Sequence, residues 1–277
     1  MYIPNIAIYI AFLAKYDIIL KVRYVMKTNK LDVIYVESKI EQPILWESHC
    51  HTQFEMIAVL EGDVNIMLEG KTYRLKENEM IVIPPLFYHS VTANEKGNYF
   101  RITALFELDL IPKIIQNEFI KQGKTSTISP LQIQKIIKIC KSERKLFYAP
   151  LLQSLMVELF YDTLNSTTLS TENKVDDFLL KALQYIDNHL HEKISLDDLA
   201  KVTIRSKSSF CHLFEEKMNV TPKQYILKKK LAIASKLIKE GTPKTLAASQ
   251  VGYDNYSNFY RLYLKYSDNV TENNNNL

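Results

Sequence analysis

The sequence predicts a two-domain α+β protein: a small antiparallel β-barrel or jelly roll followed by helices, then an all-α domain carrying two helix-turn-helix units. Three observations lead there. Residues 31–106 break into short alternating or β-branched runs separated by turn residues, the signature of many short strands. Residues 196–265 read as one two-helix unit written twice, with a long basic helix between the copies. Between these regions lies NSTTLSTEN, residues 165–173, a polar and turn-rich stretch suited to a linker.

The charge is uneven along the chain. Across 277 residues, 35 Lys+Arg against 31 Asp+Glu give only +4. Residues 199–265, however, hold 13 basic against 4 acidic side chains, leaving 22 against 27 elsewhere. A basic module joined to a slightly acidic one points to a polyanion partner for the first alone. Cys50, Cys140 and Cys211 are odd in number and form no CxxC pair. That argues against a disulfide or thiolate–zinc framework and fits a reducing, cytoplasmic setting. The apolar start MYIPNIAIYIAFLA is shorter than the ~20 residues a membrane span needs, contains Pro4, and is closed by Lys15 and Asp17. It also lacks the basic start of a secretory signal. No membrane partner is expected, and residues 1–25 are read as a non-native extension, with the fold beginning near Met26.

Within the strand region, VIYVES, FEMIAVLEG, VNIMLEG, KTYRL, EMIVIPP, HSVTA and YFRITALFEL have strand length, with Gly62-Asp63 and Gly70-Lys71 as hairpin candidates. His49, His51 and Glu55 share parity, so on a strand all three side chains face one way, and Gly62 follows at a fixed distance. NEMIVIPPLFYH then offers His89 from a neighbouring strand. The HxH-x3-E-x6-G spacing resembles the first motif of the cupin superfamily. The second motif is kept at His89, whereas Asn78 and Leu86 stand where glycines are usual and Ala93 where an asparagine is usual. Three imidazoles and a carboxylate suit a divalent metal such as iron, manganese, nickel or zinc. A pocket that keeps these groups but binds a small effector without metal is the other reading. Trp46 lies close by, as a ligand-stacking ring or as core.

From residue 108 the period becomes helical. Ile133, Ile136, Ile137 and Cys140 form one stripe, and Leu152, Leu155, Met156, Leu159 and Phe160 another, with Pro130 and Pro150 near the starts. These helices cover the barrel or pair with a second subunit. The expected organisation is therefore 26–107 effector domain, 108–164 helical cover or dimerisation segment, 165–173 linker, 174–266 double helix-turn-helix domain and 267–277 disordered tail.

In the last domain Phe178, Leu179, Ala182, Leu183 and Ile186 mark an amphipathic lead helix. Ser195 with Asp198 opens a support helix, and Ser206 caps a first reading helix, 207–217, which buries Phe210, Leu213 and Phe214. Its exposed side carries Lys207, Ser208, Cys211 and His212. Thr221-Pro222 starts a connecting helix to about Lys239, whose 18 residues span roughly 27 Å, comparable to the ~34 Å between successive major grooves. Lys228, Lys229 and Lys230 are expected to meet phosphates along it. Thr242-Pro243 repeats the cap-and-proline start, Gly252 supplies the turn, and Asp254 caps a second reading helix with Phe259, Leu262 and Tyr263 inside. Tyr256, Ser257, Asn258 and Arg261 face outward, and Arg261 and Asn258 have the better chemistry for guanine and adenine.

The blocks SLDDLAK, SSFCHLF, TPKQYI and VGYDNYSNFYR are similar to those of the AraC/XylS family of bacterial transcription regulators. That resemblance covers about residues 176–266, and a cupin-like domain ahead of it completes the family architecture. It implies a non-enzymatic transcriptional activator that binds double-stranded promoter DNA, answers to a small-molecule effector, and works with RNA polymerase. A homodimer is compatible with it. It also implies that Ser208, Cys211, His212, Tyr256, Ser257, Asn258 and Arg261 face DNA. Three departures stand out: Lys230 replaces a usual arginine, Lys244 replaces an apolar residue of the second support helix, and SDNVTENNNNL replaces the usual exit. A metal-dependent cupin enzyme with an accessory DNA-binding module, and a DNA-binding protein controlled only by its abundance, are the rival readings.

Overall fold

The computed structural model describes residues 19–27, 31–46, 48–93, 95–113, 116–117, 124–141, 148–165 and 176–271. Ile18–Glu47 with Gln53–Asn173 belong to one compact unit, and Lys174–Leu277 together with the short segment Ser48–Thr52 to another. The loop 48–52 runs between two strands of the first.

The first unit is built from two antiparallel sheets. One has the order β1 (Ile19–Lys27), β2 (Leu31–Ile40), β9 (Gly97–Phe106), β4 (Phe54–Glu61), β7 (Glu79–Ile83), β10 (Lys124–Thr127). The other has the order β3 (Ile44–Leu45), β8 (His89–Ala93), β5 (Val64–Leu68), β6 (Lys71–Leu75). Strands β2 and β9 pair along their whole length, from Leu31 opposite Phe106 to Ile40 opposite Gly97. Side chains alternate across this sheet. Phe54, Met56, Ala58, Ile102, Ala104 and Phe106 face outward onto α2 (Tyr148–Asn165), packing with Leu152, Leu155, Leu159 and Phe160. Phe54, Phe106 and Phe160 meet ring to ring at 5.2–5.8 Å, adding aromatic contacts to plain area burial. Helix α1 (Pro130–Lys141) adds Ile136 to the same core. The opposite parity, including Glu55, Tyr99 and Arg101, turns toward the second sheet.

Several expectations change here. β1 pairs with β2 from Ile19 onward, so the folded chain begins well before Met26; residues 1–18 lie outside the described residues. The polar stretch KTST forms β10 on the edge of the first sheet, inside a region whose period reads as helical, because pairing with β7 satisfies its backbone. Gly62-Asp63 is no hairpin: β4 and β5 belong to different sheets, and this step carries the chain from one to the other. A Cβ on Gly62 would lie 2.5 Å from the Asn98 carbonyl oxygen. The hairpin turn next to Gly70 is Glu69-Gly70, both at positive φ, as a two-residue I′ turn requires.

The second unit is helical: α3 (Asp177–Asn188), α4 (Leu196–Val202), α5 (Lys207–Met218), α6 (Pro222–Lys239), α7 (Lys244–Gln250) and α8 (Tyr256–Thr271). Ser195 and Asp198 form a full capping box, with Ser195 Oγ accepting from the Asp198 N–H at 3.1 Å and the Ser195 N–H donating to Asp198 Oδ2 at 3.2 Å. The Ser195 hydroxyl, which donates to Asp198 Oδ2, and then the Ser195 N–H hold the Asp198 carboxyl below its ordinary pKa. Ser206 and Thr221 cap α5 and α6, and Pro222 stands in the first turn of α6. The second copy differs. Pro243, not Thr242, is the N-cap of α7 and makes no side-chain cap. Asn255, not Asp254, caps α8, its Oδ1 accepting from the Asn258 N–H at 2.9 Å. Helix α8 continues through Thr271, so the exit at residues 267–271 is helix rather than tail. Leu231, Ala234, Ala248, Val251 and Phe259 give this half its own core even though Lys244 is exposed.

Candidate functional site

The first candidate site lies at the inner face of the barrel. Glu55 is the second residue of β4 and His89 the first of β8. His49 and His51 sit on the loop 48–52 rather than on the strand, because β4 starts only at Phe54. Shared strand parity is therefore not what gathers them, yet one donor atom from each of His49, His51, Glu55 and His89 lies within 4.8 Å of the others. Glu55 and His89 are buried while the two loop histidines are half-buried. His89 Nε2 lies 2.8 Å from Glu55 Oε2, and its Nδ1 is 2.9 Å from the Phe87 carbonyl oxygen. Burial alone would depress the His89 pKa; the hydrogen bond and charge of Glu55, with the Phe87 carbonyl and Glu69, outweigh it and raise the pKa above the usual histidine value.

This donor set fits a divalent metal. Ligands at ~2.0–2.2 Å from a zinc-like ion in tetrahedral geometry stand about 3.4 Å apart, within the span these atoms occupy. The 2.8 Å Glu55–His89 contact would open by about 0.6 Å to admit the ion. The two positions lacking the usual glycines keep the conformation glycine would take: Asn78 has φ 65 and Leu86 φ 64. Trp46 is core, its ring 5.7 Å from that of Tyr99. Arg101, which no motif marks, is also buried here, with its guanidinium 4.5 Å from the Tyr99 ring and Nη1 3.2 Å from Ser38 Oγ. The signal was there: an arginine inside YFRITALFEL, opposite in parity to Ile102 and Ala104.

The second candidate site is the outer face of α5 and α8. Lys207, Ser208 and His212 are exposed and Cys211 half-buried, while Phe210, Phe214 and Met218 are buried behind them. Tyr256, Ser257, Asn258 and Arg261 are exposed on the first turns of α8, with Phe259 buried. In each helix the polar residues thus stand at the N-terminal end. Lys207 Nζ pairs with Asp197 at 2.9 Å, and Arg261 Nη2 donates to Asn258 Oδ1 at 3.2 Å. Lys244, at the start of α7, holds its ammonium 5.3 Å from the Tyr260 ring centroid. Both reading helices follow a turn of the same construction. The N–H groups of Ile204 and Arg205 close α4 on Lys201 and Ala200, and those of Gly252 and Tyr253 close α7 on Ser249 and Ala248.

Two of the three lysines expected at phosphates are not at the surface. Lys229 is 1% exposed and Lys230 5% exposed. Lys229 Nζ donates to Asp187 Oδ1 of α3 at 2.7 Å. Lys230 Nζ donates to the carbonyls of Glu192 and Val251, the latter at 2.7 Å. Burial lowers the Lys230 pKa. The reason is helical spacing: Lys229 and Lys230 lie one turn after Tyr225 and Ile226, on the inward stripe. The basic surface is accordingly smaller than the residue count suggests.

A family model described as the AraC-like ligand binding domain matches residues 31–160, and one described as a helix-turn-helix domain matches residues 199–268. Together they account for both halves of the molecule. The chain belongs to the AraC/XylS family. It is a DNA-binding transcriptional regulator whose N-terminal half is a ligand-binding domain built on two antiparallel sheets. Similar proteins include the probable transcriptional regulator LumQ of Photobacterium leiognathi, 26% identical over 205 residues, covering 71% of this chain and 82% of LumQ. The uncharacterized HTH-type transcriptional regulator YdiP of Escherichia coli is 22% identical over 238 residues, covering 80% of this chain and 78% of YdiP. Among solved structures, unsaturated fatty acid-bound ToxT of Vibrio cholerae aligns over 87% of this chain and 92% of its own at 10% identity, with a TM-score of 0.43. No helix among the described residues is long and apolar enough to cross a membrane.

Proposed function

We propose that this AraC-family member activates transcription by placing α5 and α8 in successive major grooves of promoter DNA, under control of a small molecule bound at the His49, His51, Glu55 and His89 cluster. The observation that carries the DNA reading is the duplicated geometry. Each helix is N-capped, buries one stripe, and exposes polar side chains at its first turns, where a recognition helix meets base edges. Lys207, Ser208, Cys211 and His212 form the first reading set; Tyr256, Ser257, Asn258 and Arg261 form the second. Arg261 bidentate to guanine and Asn258 to adenine are the strongest base-specific contacts, and the first set reads its own half-site with weaker ones.

In this reading residues 26–107 with the strands flanking them form the effector domain, 108–164 its helical cover or dimerisation segment, 165–173 the linker, and 174–266 the DNA-binding domain. RNA polymerase is the downstream partner and the cytoplasm the working compartment. Effector control requires the ligand to bind one state of the protein more tightly than another. A divalent metal held by the four donors would supply a Lewis acid toward an oxygen of the effector. The same cluster supports a second reading, a metal-dependent cupin enzyme with an accessory DNA module. Metal analysis combined with turnover assays separates the two.

Genome-wide mapping of bound DNA followed by footprinting tests the main reading. Two protected segments one helical turn apart on one face of the duplex are expected, with affinity falling steeply from low to moderate salt. Uniform, salt-insensitive binding without discrete sites would overturn it.

A further inference from the structure

The two reading heads share one polar joint. Lys230 lies on α6, the helix that connects the halves, and its ammonium donates to two backbone carbonyls from different halves. Glu192 belongs to the turn between α3 and α4, just ahead of the first helix-turn-helix in the chain. Val251 is the C-cap of α7, in the second. Between them the backbones touch directly: a Cβ added at Gly252 would lie 2.6 Å from the carbonyl carbon and oxygen of Glu192. At this backbone-to-backbone approach the Lys230 hydrogen bonds tie the Glu192 and Val251 segments to one donor. Lys229 offers an internal contrast. It is the next residue along and is just as buried, but its Nζ is paired with Asp187 on α3, within the first half.

We propose that Lys230 is a positioning residue that sets the separation of α5 and α8, and through it the half-site spacing the protein accepts on DNA. This rests on the double-head reading above. An ammonium bridging two buried carbonyls holds them at a fixed distance from one donor. Without it both carbonyls lose a partner that water reaches poorly, and the seam gains freedom to slide. The base-reading side chains are untouched, so each half-site sequence stays the same while the tolerated distance between half-sites broadens.

The test is selection from a pool of duplexes carrying the wild-type half-sites separated by spacers of every length. Wild-type protein is expected to prefer one spacer by at least about tenfold, the scale of one or two hydrogen bonds. Lys230→Met should keep both half-site sequences and spread over neighbouring spacers, with that preference falling to about threefold or less. Lys230→Arg should restore the single spacer. Lys229→Met should lower the melting temperature while keeping the wild-type spacer. If Lys230→Met does not fold at the assay temperature, Lys230→Gln, which retains a donor for one carbonyl, carries the same comparison and should show an intermediate spread. A sharp single spacer in Lys230→Met or Lys230→Gln, or an equal broadening in Lys229→Met, overturns the proposal. A wild-type protein that selects no bipartite sequence overturns the double-head reading itself, a result separable from the others because it needs no variant.

Discussion

In the first helix-turn-helix unit the chain leaves the support helix through Ile204 at φ 53; in the second it leaves through Gly252 at φ 73. Both turns close with the same pair of backbone hydrogen bonds, so the left-handed residue is demanded in each. What differs is the surroundings. Ile204 is 87% exposed, and its side chain projects into open space. Gly252 lies against the Glu192 backbone, where no Cβ fits. A turn facing solvent tolerates a β-branched residue at a backbone cost of about 1–2 kcal/mol, whereas a turn facing another backbone admits only glycine. The second turn also carries one residue more before its cap, Asn255 against Ser206. The two heads are variants of one motif adapted to different neighbours.

The most disruptive way to probe this difference is Gly252→Ala. Positive φ combined with a 2.6 Å approach to Glu192 should destabilise the DNA-binding domain by about 3 kcal/mol or more, read by chemical denaturation. A loss below 1 kcal/mol would mean the seam is soft. On the reading face, Arg261→Ala should weaken specific binding by ~1–3 kcal/mol and leave random-DNA binding nearly unchanged. Equal losses on both DNAs would make Arg261 a phosphate contact. Ser206→Ala and Asn255→Ala, the caps of the two reading helices, should each lower stability by about 1 kcal/mol. An effect confined to one of them would show that the heads depend unequally on their caps. In the opposite direction, Ile204→Gly should stabilise by up to about 1 kcal/mol, since relief of strain is partly offset by glycine's greater freedom when unfolded. A fall in melting temperature would locate a packing role for the isoleucine. The smallest effect is on acidification. The Asp198 pKa is lowered on folding, so its contribution is present at neutral pH and is lost as pH falls through the folded-state value. Because α7 has no matching side-chain cap, the protection of amides against exchange, relative to their intrinsic rate at each pH, should fall in α4 before α7 as pH is lowered toward ~3.

The chain's architecture was legible where one residue type has one physical job. Ser195 with Asp198, Ser206 and Thr221-Pro222 announced helix starts that the structure places there, and Gly252 announced a left-handed turn. Caps failed where two adjacent residues competed: Asp254 and Asn255 are both competent, and the register of α8, fixed by burying Phe259, chooses Asn255. Lys229 and Lys230 were misjudged for a related reason. Charge suggested surface, yet their spacing from Tyr225 and Ile226 put them on the inward stripe, and the carbonyls and carboxylate that receive them come from distant segments. β10 was invisible because KTST becomes a strand only beside β7. In the pocket, residue types and order pointed to His49, His51, Glu55 and His89, but not to the loop that carries the first two.

The alternation of the large sheet has a consequence for how such a pocket changes over generations. On β4 and β9, neighbours along the chain serve opposite duties: Phe54, Met56, Ala58, Ile102, Ala104 and Phe106 hold the helical cover, while Glu55, Tyr99 and Arg101 look inward. Every second position can therefore drift without loosening the cover. A combinatorial library restricted to the inward positions would explore new ligands on an unaltered chassis, much as a lock is rekeyed without replacing the door.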